Sequence, residues 1–200
     1  MNNPLIELRG INLSRNERLI ISNMSLCIHA SSVLNIYGHN GSGKTTLLKT
    51  LTGLTEPTSG QIINNINQHD AFSYIGHKYG IKNNLTLIEN LLYGNNENFD
   101  DQNKIDVVIE MYNMNKYKHD LVKNLSHGQQ KKISLMKANI STSKVWILDE
   151  PYSALDNDTI KIVDQSIYDH IKNDGAVIMS NHEPITKKSF DINNLELINE

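Results

Sequence analysis

Eight consecutive residues, Gly38-His39-Asn40-Gly41-Ser42-Gly43-Lys44-Thr45, fit the spacing G-x-x-x-x-G-K-[ST]. The chemistry of that spacing is anion capture: glycines let successive backbone N–H groups turn inward around phosphate oxygens, where a side chain would clash. Lys44 reaches the outer phosphates and the Thr45 hydroxyl is suited to ligate Mg²⁺. Gly38, His39, Asn40, Gly41, Ser42, Gly43, Lys44, Thr45 and Thr46 are the expected nucleotide-binding residues. A second feature is the acidic pair Asp149-Glu150, delivered by the apolar run Val145-Trp146-Ile147-Leu148. On its own such a pair reads equally well as a solvated strand end. Beside a phosphate loop, Asp149 is expected to hold Mg²⁺, directly or through water, and Glu150 to polarise the attacking water.

These side chains need elements to hold them. The run 33–37 is a short apolar strand that stops at Gly38, and Leu47, Leu48, Leu51 and Leu54 mark one face of a helix over 44–54. Alternating apolar stretches at 5–8 and 19–28, with 61–66 after Pro57 and Gly60, predict a small N-terminal sheet. Ile105, Val108, Ile109 and Tyr112 share one helical stripe. Another helix is expected over 126–139, with Ser126 as N-cap. Ile160, Val163, Ile167 and Ile171 mark a further helix that Gly175 can close at C′, before a last buried strand at 176–179 and then Asn181-His182. Uninterrupted apolar strands between helices predict an α/β fold with a parallel sheet covered on both faces.

Composition sets outer bounds. The chain has 200 residues, 38% hydrophobic and 20% charged, which supports a sizeable core and argues against disorder. A net charge of −3 gives no bulk electrostatic reason to bind nucleic acid. The single cysteine, Cys27, excludes an internal disulfide framework and a cysteine-cluster zinc site, and is expected to be buried and inert. No apolar run approaches the roughly 18 residues of a membrane span, and Met1-Asn2-Asn3-Pro4 lacks a secretory pattern, so a soluble, non-exported chain is expected. Asn (27), Ile (25) and Lys (16) are in excess, but the excess leaves the motifs intact and points to an A/T-rich coding genome rather than to function.

Further residues bring in a resemblance that covers nearly the whole chain. Leu125-Ser126-His127-Gly128-Gln129 resembles the signature motif of ABC-type ATPases, with His127 where glycine is usual. Ser153-Ala154-Leu155-Asp156 resembles that family's D-loop, and His182 stands where the family has its switch histidine. The resemblance implies a P-loop NTPase fold of ABC type: a mostly parallel core sheet, an N-terminal antiparallel β subdomain and a helical signature subdomain. It implies one ATP-binding domain over 1–200, with the helical part, roughly 83–140, inserted in a RecA-like core. ATP and Mg²⁺ are the implied cofactors, and Lys44, Glu150 and His182 the implied catalytic residues. Thr45 and Asp149 fall at the metal, with His77, where most members carry Gln, as an additional candidate. Ser126, Gly128 and Gln129 would act in trans across a head-to-tail homodimer. No aromatic residue stands near Arg15-Asn16 to stack on adenine, so Arg15 is the candidate cation–π partner.

A finer likeness runs through Tyr74-Ile75-Gly76-His77, Gly80-Ile81-Lys82, Leu85-Thr86 and Glu89-Asn90-Leu91. These residues, with Leu125-Ser126-x-Gly128-Gln129-Gln130 and the stretch from Trp146 to Tyr152, are similar to the ATPase subunit of the cytochrome c biogenesis (haem) exporter. The likeness implies integral membrane subunits of the cytochrome c maturation system as partners, met around 77–90. It also implies a peripheral place on the cytoplasmic face of the inner membrane, and no nucleic-acid partner. Three other readings stay open: a non-catalytic binding module, against which intact Lys44, Asp149, Glu150 and His182 argue; an ABC ATPase subunit for another cargo, such as a lipid or peptide; and a non-transport ABC ATPase. Against the last stand a single set of motifs and no heptad run.

Overall fold

Ile6, Leu8, Ile11 and Leu13 are all buried, at near-alternating positions of strand β1 (Ile6–Arg15). Asn16 and Glu17, at φ 50° and 62°, reverse the chain in two residues and lead into β2 (Arg18–Ile28). With β4 (Ser59–Asn64) they form an antiparallel sheet of order β2-β1-β4. The computed structural model describes residues 3–66, 72–76, 79–93 and 102–198.

The second sheet holds β3 (Ser32–Tyr37), β5 (Phe72–Ile75), β6 (Val145–Asp149), β7 (Ala176–Asn181) and β8 (Asn193–Glu196). Its order is β5-β6-β7-β3-β8 and every neighbouring pair is parallel. The inner strands read as largely apolar runs, broken in β3 by Asn35, because both of their faces are covered. Trp146, Leu148, Val177 and Met179 enter one hydrophobic cluster, while Val145, Ile147, Ala176 and Ile178 enter the other. The first cluster is roofed by α3 (Gln102–Met111), α4 (His127–Ile140) and α5 (Asn157–Lys172), and also takes in Leu87 and Leu91 of α2 (Leu87–Leu92). The second is covered by α1 (Lys44–Leu51) and the antiparallel sheet. The expected stripe is present: Ile105, Val108 and Ile109 on α3 and Tyr112 just past its end are all buried.

Four expectations need correction. Helix α1 ends at Leu51 and not at 54: Gly53 has φ +75° and Leu54 is 66% exposed, outside the core face. The strand expected at 176–179 runs on to Asn181 and is not the last, since β8 pairs with the free side of β3. Gly175 is not the left-handed residue after α5; Asp174 carries the positive φ of 61°. The Gly175 N–H instead closes back on the His170 carbonyl at 3.0 Å, and a Cβ there would collide with the His170 imidazole. Cys27 is exposed, because it takes the solvent side of edge strand β2 next to buried Ile28.

Candidate active site

Strand β3 delivers the glycine-rich loop and α1 receives it. Gly43 caps α1 at φ 100° with no side-chain bond, which leaves the first-turn N–H groups available to an anion. At Gly38, φ is +149° and a Cβ would stand 2.6 Å from the Leu197 carbonyl, so only glycine fits. Lys44 is 6% exposed, and its Nζ donates to the carbonyls of Gly38 (2.6 Å) and His39 (3.0 Å), lying across the loop. The buried Ser42 hydroxyl has no hydrogen-bond partner among the described residues. An orphaned donor inside such a loop suits a phosphate oxygen.

Strand β6 brings the acidic pair to the same edge. Thr45 Oγ1 donates to Asp149 Oδ2 at 2.9 Å, and Ser180 Oγ donates to Asp149 Oδ1 at 2.5 Å. Ser180 Oγ also accepts the Glu150 N–H at 3.0 Å. Glu150 has φ 50°, a left-handed angle that is costly for a non-glycine residue and turns the chain sharply off the strand. His182 Nε2 lies 3.2 Å from Glu150 Oε1. Lys131, 1% exposed on α4, donates to the Asp149 carbonyl at 3.2 Å. Burial pushes its amine below the ordinary value, opposed by the nearby charges of Asp149 and Glu150. Tyr74 on β5 is pushed up to about 12, first by burial and then by Asp149. Thr45 and Asp149 supply one hydroxyl and one carboxylate, hard oxygens that fit Mg²⁺ with waters and phosphate oxygens completing its shell. No cluster of three His, Cys, Asp or Glu able to hold a metal occurs among the described residues.

Ser126 is the N-cap of α4, as expected, and forms a reciprocal box with Gln129: its hydroxyl accepts the Gln129 N–H at 3.3 Å and its own N–H reaches Gln129 Oε1 at 2.8 Å. His127 is exposed at the first helical position, where no glycine is needed. Gly128 does matter, since a Cβ would meet the Ala154 carbonyl at 3.0 Å. Ser126, Gly128 and Gln129, with Lys132, Ala154 and Asp156, border a cavity of about 600 Å³. Arg15, Gly41, Lys44, Thr45, Thr46 and Glu150 border a different cavity of about 120 Å³. The two cavities share no lining residue.

The fold therefore gathers Arg15, the phosphate loop, Asp149, Glu150 and His182 on one edge and holds the signature residues apart. His77 lies outside the described residues. Ser180 and Lys131 were not expected from sequence. Lys131 had a signal: it shares a helical stripe with Ser134, Leu135 and Ala138, all buried, so a lysine stood on a core-facing row.

A glycine-rich loop between a parallel strand and a helix, with a Thr–Asp pair at its mouth, defines a P-loop nucleotide-binding protein. The chain belongs to the ABC transporter family, whose pattern matches residues 21–153. It is similar to the cytochrome c biogenesis ATP-binding export protein CcmA of Shigella flexneri and of Escherichia coli K12, each 31% identical over 96% of both chains. Among solved structures it is similar to an ABC transporter ATP-binding protein from Pyrococcus furiosus (TM-score 0.80, 25% identity, 96% of both chains). An ATP-binding cassette solved as a dimer in a post-hydrolysis state with ADP and Pi shares the fold, with TM-score 0.75 and 20% identity over 89% of this chain and 88% of that one. The protein is thus an ABC-type ATPase, and no helix among its described residues is long and apolar enough to cross a membrane.

Proposed function

We propose that this ATPase energises a membrane complex in cytochrome c biogenesis, in haem export or handling, in line with its similarity to the cytochrome c biogenesis export protein CcmA. The observation that carries the hydrolytic part is the hydrogen-bonded series Thr45–Asp149–Ser180–Glu150, which ties the phosphate loop through the Glu150 N–H to the acidic pair at one sheet edge, with His182 Nε2 3.2 Å from the Glu150 carboxylate. Lys44 and the first-turn N–H groups of α1 hold the outer phosphates of ATP, with Gly38 to Thr46 forming the cradle. Thr45 and Asp149 would hold Mg²⁺, which offsets charge on the phosphoryl oxygens when bound; His77 is a further candidate for that role. Glu150 orients a water whose oxygen attacks the γ-phosphorus as the bond to the ADP oxygen breaks, and the carboxylate takes the proton. His182, beside Glu150, contacts the γ-phosphate. Arg15 packs against the adenine.

The site is completed by a second copy. The loop-side cavity of about 120 Å³ is well below the roughly 300–1,000 Å³ of a finished ligand pocket. The N-terminus of α4, with Ser126, Gly128 and Gln129, is the surface that a head-to-tail partner brings to the γ-phosphate. Residues 1–200 act as one ATP-binding domain with its helical part at 83–140. The protein works peripherally at the cytoplasmic face of the inner membrane, its surface around 77–90 against integral membrane subunits of the cytochrome c maturation system.

Affinity purification of the full chain from its own membranes tests the assignment. Co-purification with haem-handling membrane subunits is the expected outcome; subunits of a lipid or peptide transporter, or nucleic acid, would sink it.

A further inference from the structure

Asn35 is fully buried in β3, between the apolar Leu34 and Ile36. An amide in a central strand is costly unless its polar atoms are bonded, and a β-branched residue would suit the position better. Here the amide nitrogen donates to Asn194 Oδ1 (2.7 Å) and to the Glu183 carbonyl (3.3 Å), and its oxygen accepts from Asn181 Nδ2 (2.7 Å). Asn194, its register partner on β8, also accepts the Ile185 N–H and donates to the Ile185 carbonyl, both at 3.0 Å. Asn181 at the end of β7, and residues 183 and 185 on the stretch between β7 and β8 that forms no helix or strand, are therefore each held by this ladder. His182 lies between the held positions, 3.2 Å from Glu150. Farther along, Lys188 pairs with Asp164 at 2.6 Å and pins the same segment to α5.

We infer that Asn35 and Asn194 are positioning residues for ATP hydrolysis, fixing His182 toward the γ-phosphate through the backbone of residues 181–185. The inference rests on the role proposed above for His182. The ladder has bonded partners on both sides of the histidine, so its loss frees His182 without touching the phosphate loop.

The test is steady-state ATPase kinetics on the full chain in its membrane complex. Asn35→Leu keeps the branched shape while removing the amide, and Asn194→Ala truncates an exposed residue of β8 while leaving Asn35 in place with its Glu183 and Asn181 bonds, so the second variant stands if the first fails to fold. Each should lower kcat by about 10- to 100-fold, the range expected when a reacting group is misplaced by about an ångström. KM for ATP should stay within about twofold, since ground-state binding is untouched. Asn194→Asp, which keeps both acceptor bonds, should recover part of the loss. In the His182→Ala background Asn194→Ala should have no further effect, whereas a general structural defect would add its full factor. Parent turnover in both Asn variants beside an inactive His182→Ala would overturn the inference alone. Parent turnover in His182→Ala would remove the role of the histidine, and the inference with it.

Discussion

At Glu150 one backbone angle and one hydrogen bond decide where a carboxylate points. The left-handed φ of 50° turns the chain off β6, and the Ser180 hydroxyl holds the Glu150 N–H in that turn. Glu150→Gln should keep ATP binding while turnover falls by about 10²–10⁴, the usual contribution of a general base; equilibrium nucleotide binding beside an ATPase assay checks both halves. A different residue sets an acid limit on stability. His170 stacks on Trp146 with 4.1 Å between ring centroids, and burial pushes its imidazole down to about 4. Above pH 6.5 the ring is neutral in both folded and unfolded chains and contributes nothing. Below that the unfolded chain takes the proton first, so stability falls as pH drops from 6.5 to 4, by up to about 3 kcal/mol. Urea midpoints measured across that window should decline, and decline less in His170→Phe. The residues proposed to carry the chemistry were legible from sequence because their types and spacing follow phosphate geometry. Ser180 was not, since a hydroxyl two residues before His182 has no spacing rule and acts only once β6 and β7 are side by side.

Among the elements, those with a core-facing period were readable and those without were not. The stripe of α3 and the apolar runs of β3, β6 and β7 announce themselves; the Asn-Asn-Leu-Glu of β8 offers one apolar residue and no alternation to detect. The hairpin between β1 and β2 turns on Asn16 and Glu17, without the glycine that normally flags such a turn. At the end of α5 a glycine was legible, yet its reason was not: Gly175 makes room for the His170 ring, while Asp174 takes the left-handed conformation. Gly175→Ala should therefore overpack that corner and cost about 1–3 kcal/mol. Thermal unfolding should show a midpoint lower by several degrees, whereas Asp174→Gly should not lower it, because it relieves a left-handed non-glycine residue.

For the whole molecule, two cavities with no shared lining residue fit the proposal that loop and signature serve different nucleotides. Lys44→Ala damages one side and Ser126→Arg the other, so each variant alone should be inactive. Mixed in equal amounts, they should regain part of the parent ATPase rate through heterodimers that hold one intact composite site; heterodimers without activity would count against the shared site. The parallel sheet carries a consequence for how the chain is made. Strand β3 leads directly into the phosphate loop, but both of its neighbours, β7 and β8, come from residues 176–196. While the chain is being synthesised, the loop and its helix emerge early and wait beside an unpaired strand. The floor beneath Gly38, supplied by the Leu197 carbonyl, arrives later still. Chains arrested on the ribosome before residue 176 has emerged should fail to retain an ATP analogue, and chains extended past 197 should hold it. On this expectation the capacity to bind nucleotide matures only with β8 and Leu197, which would leave shorter chains unable to compete for ATP.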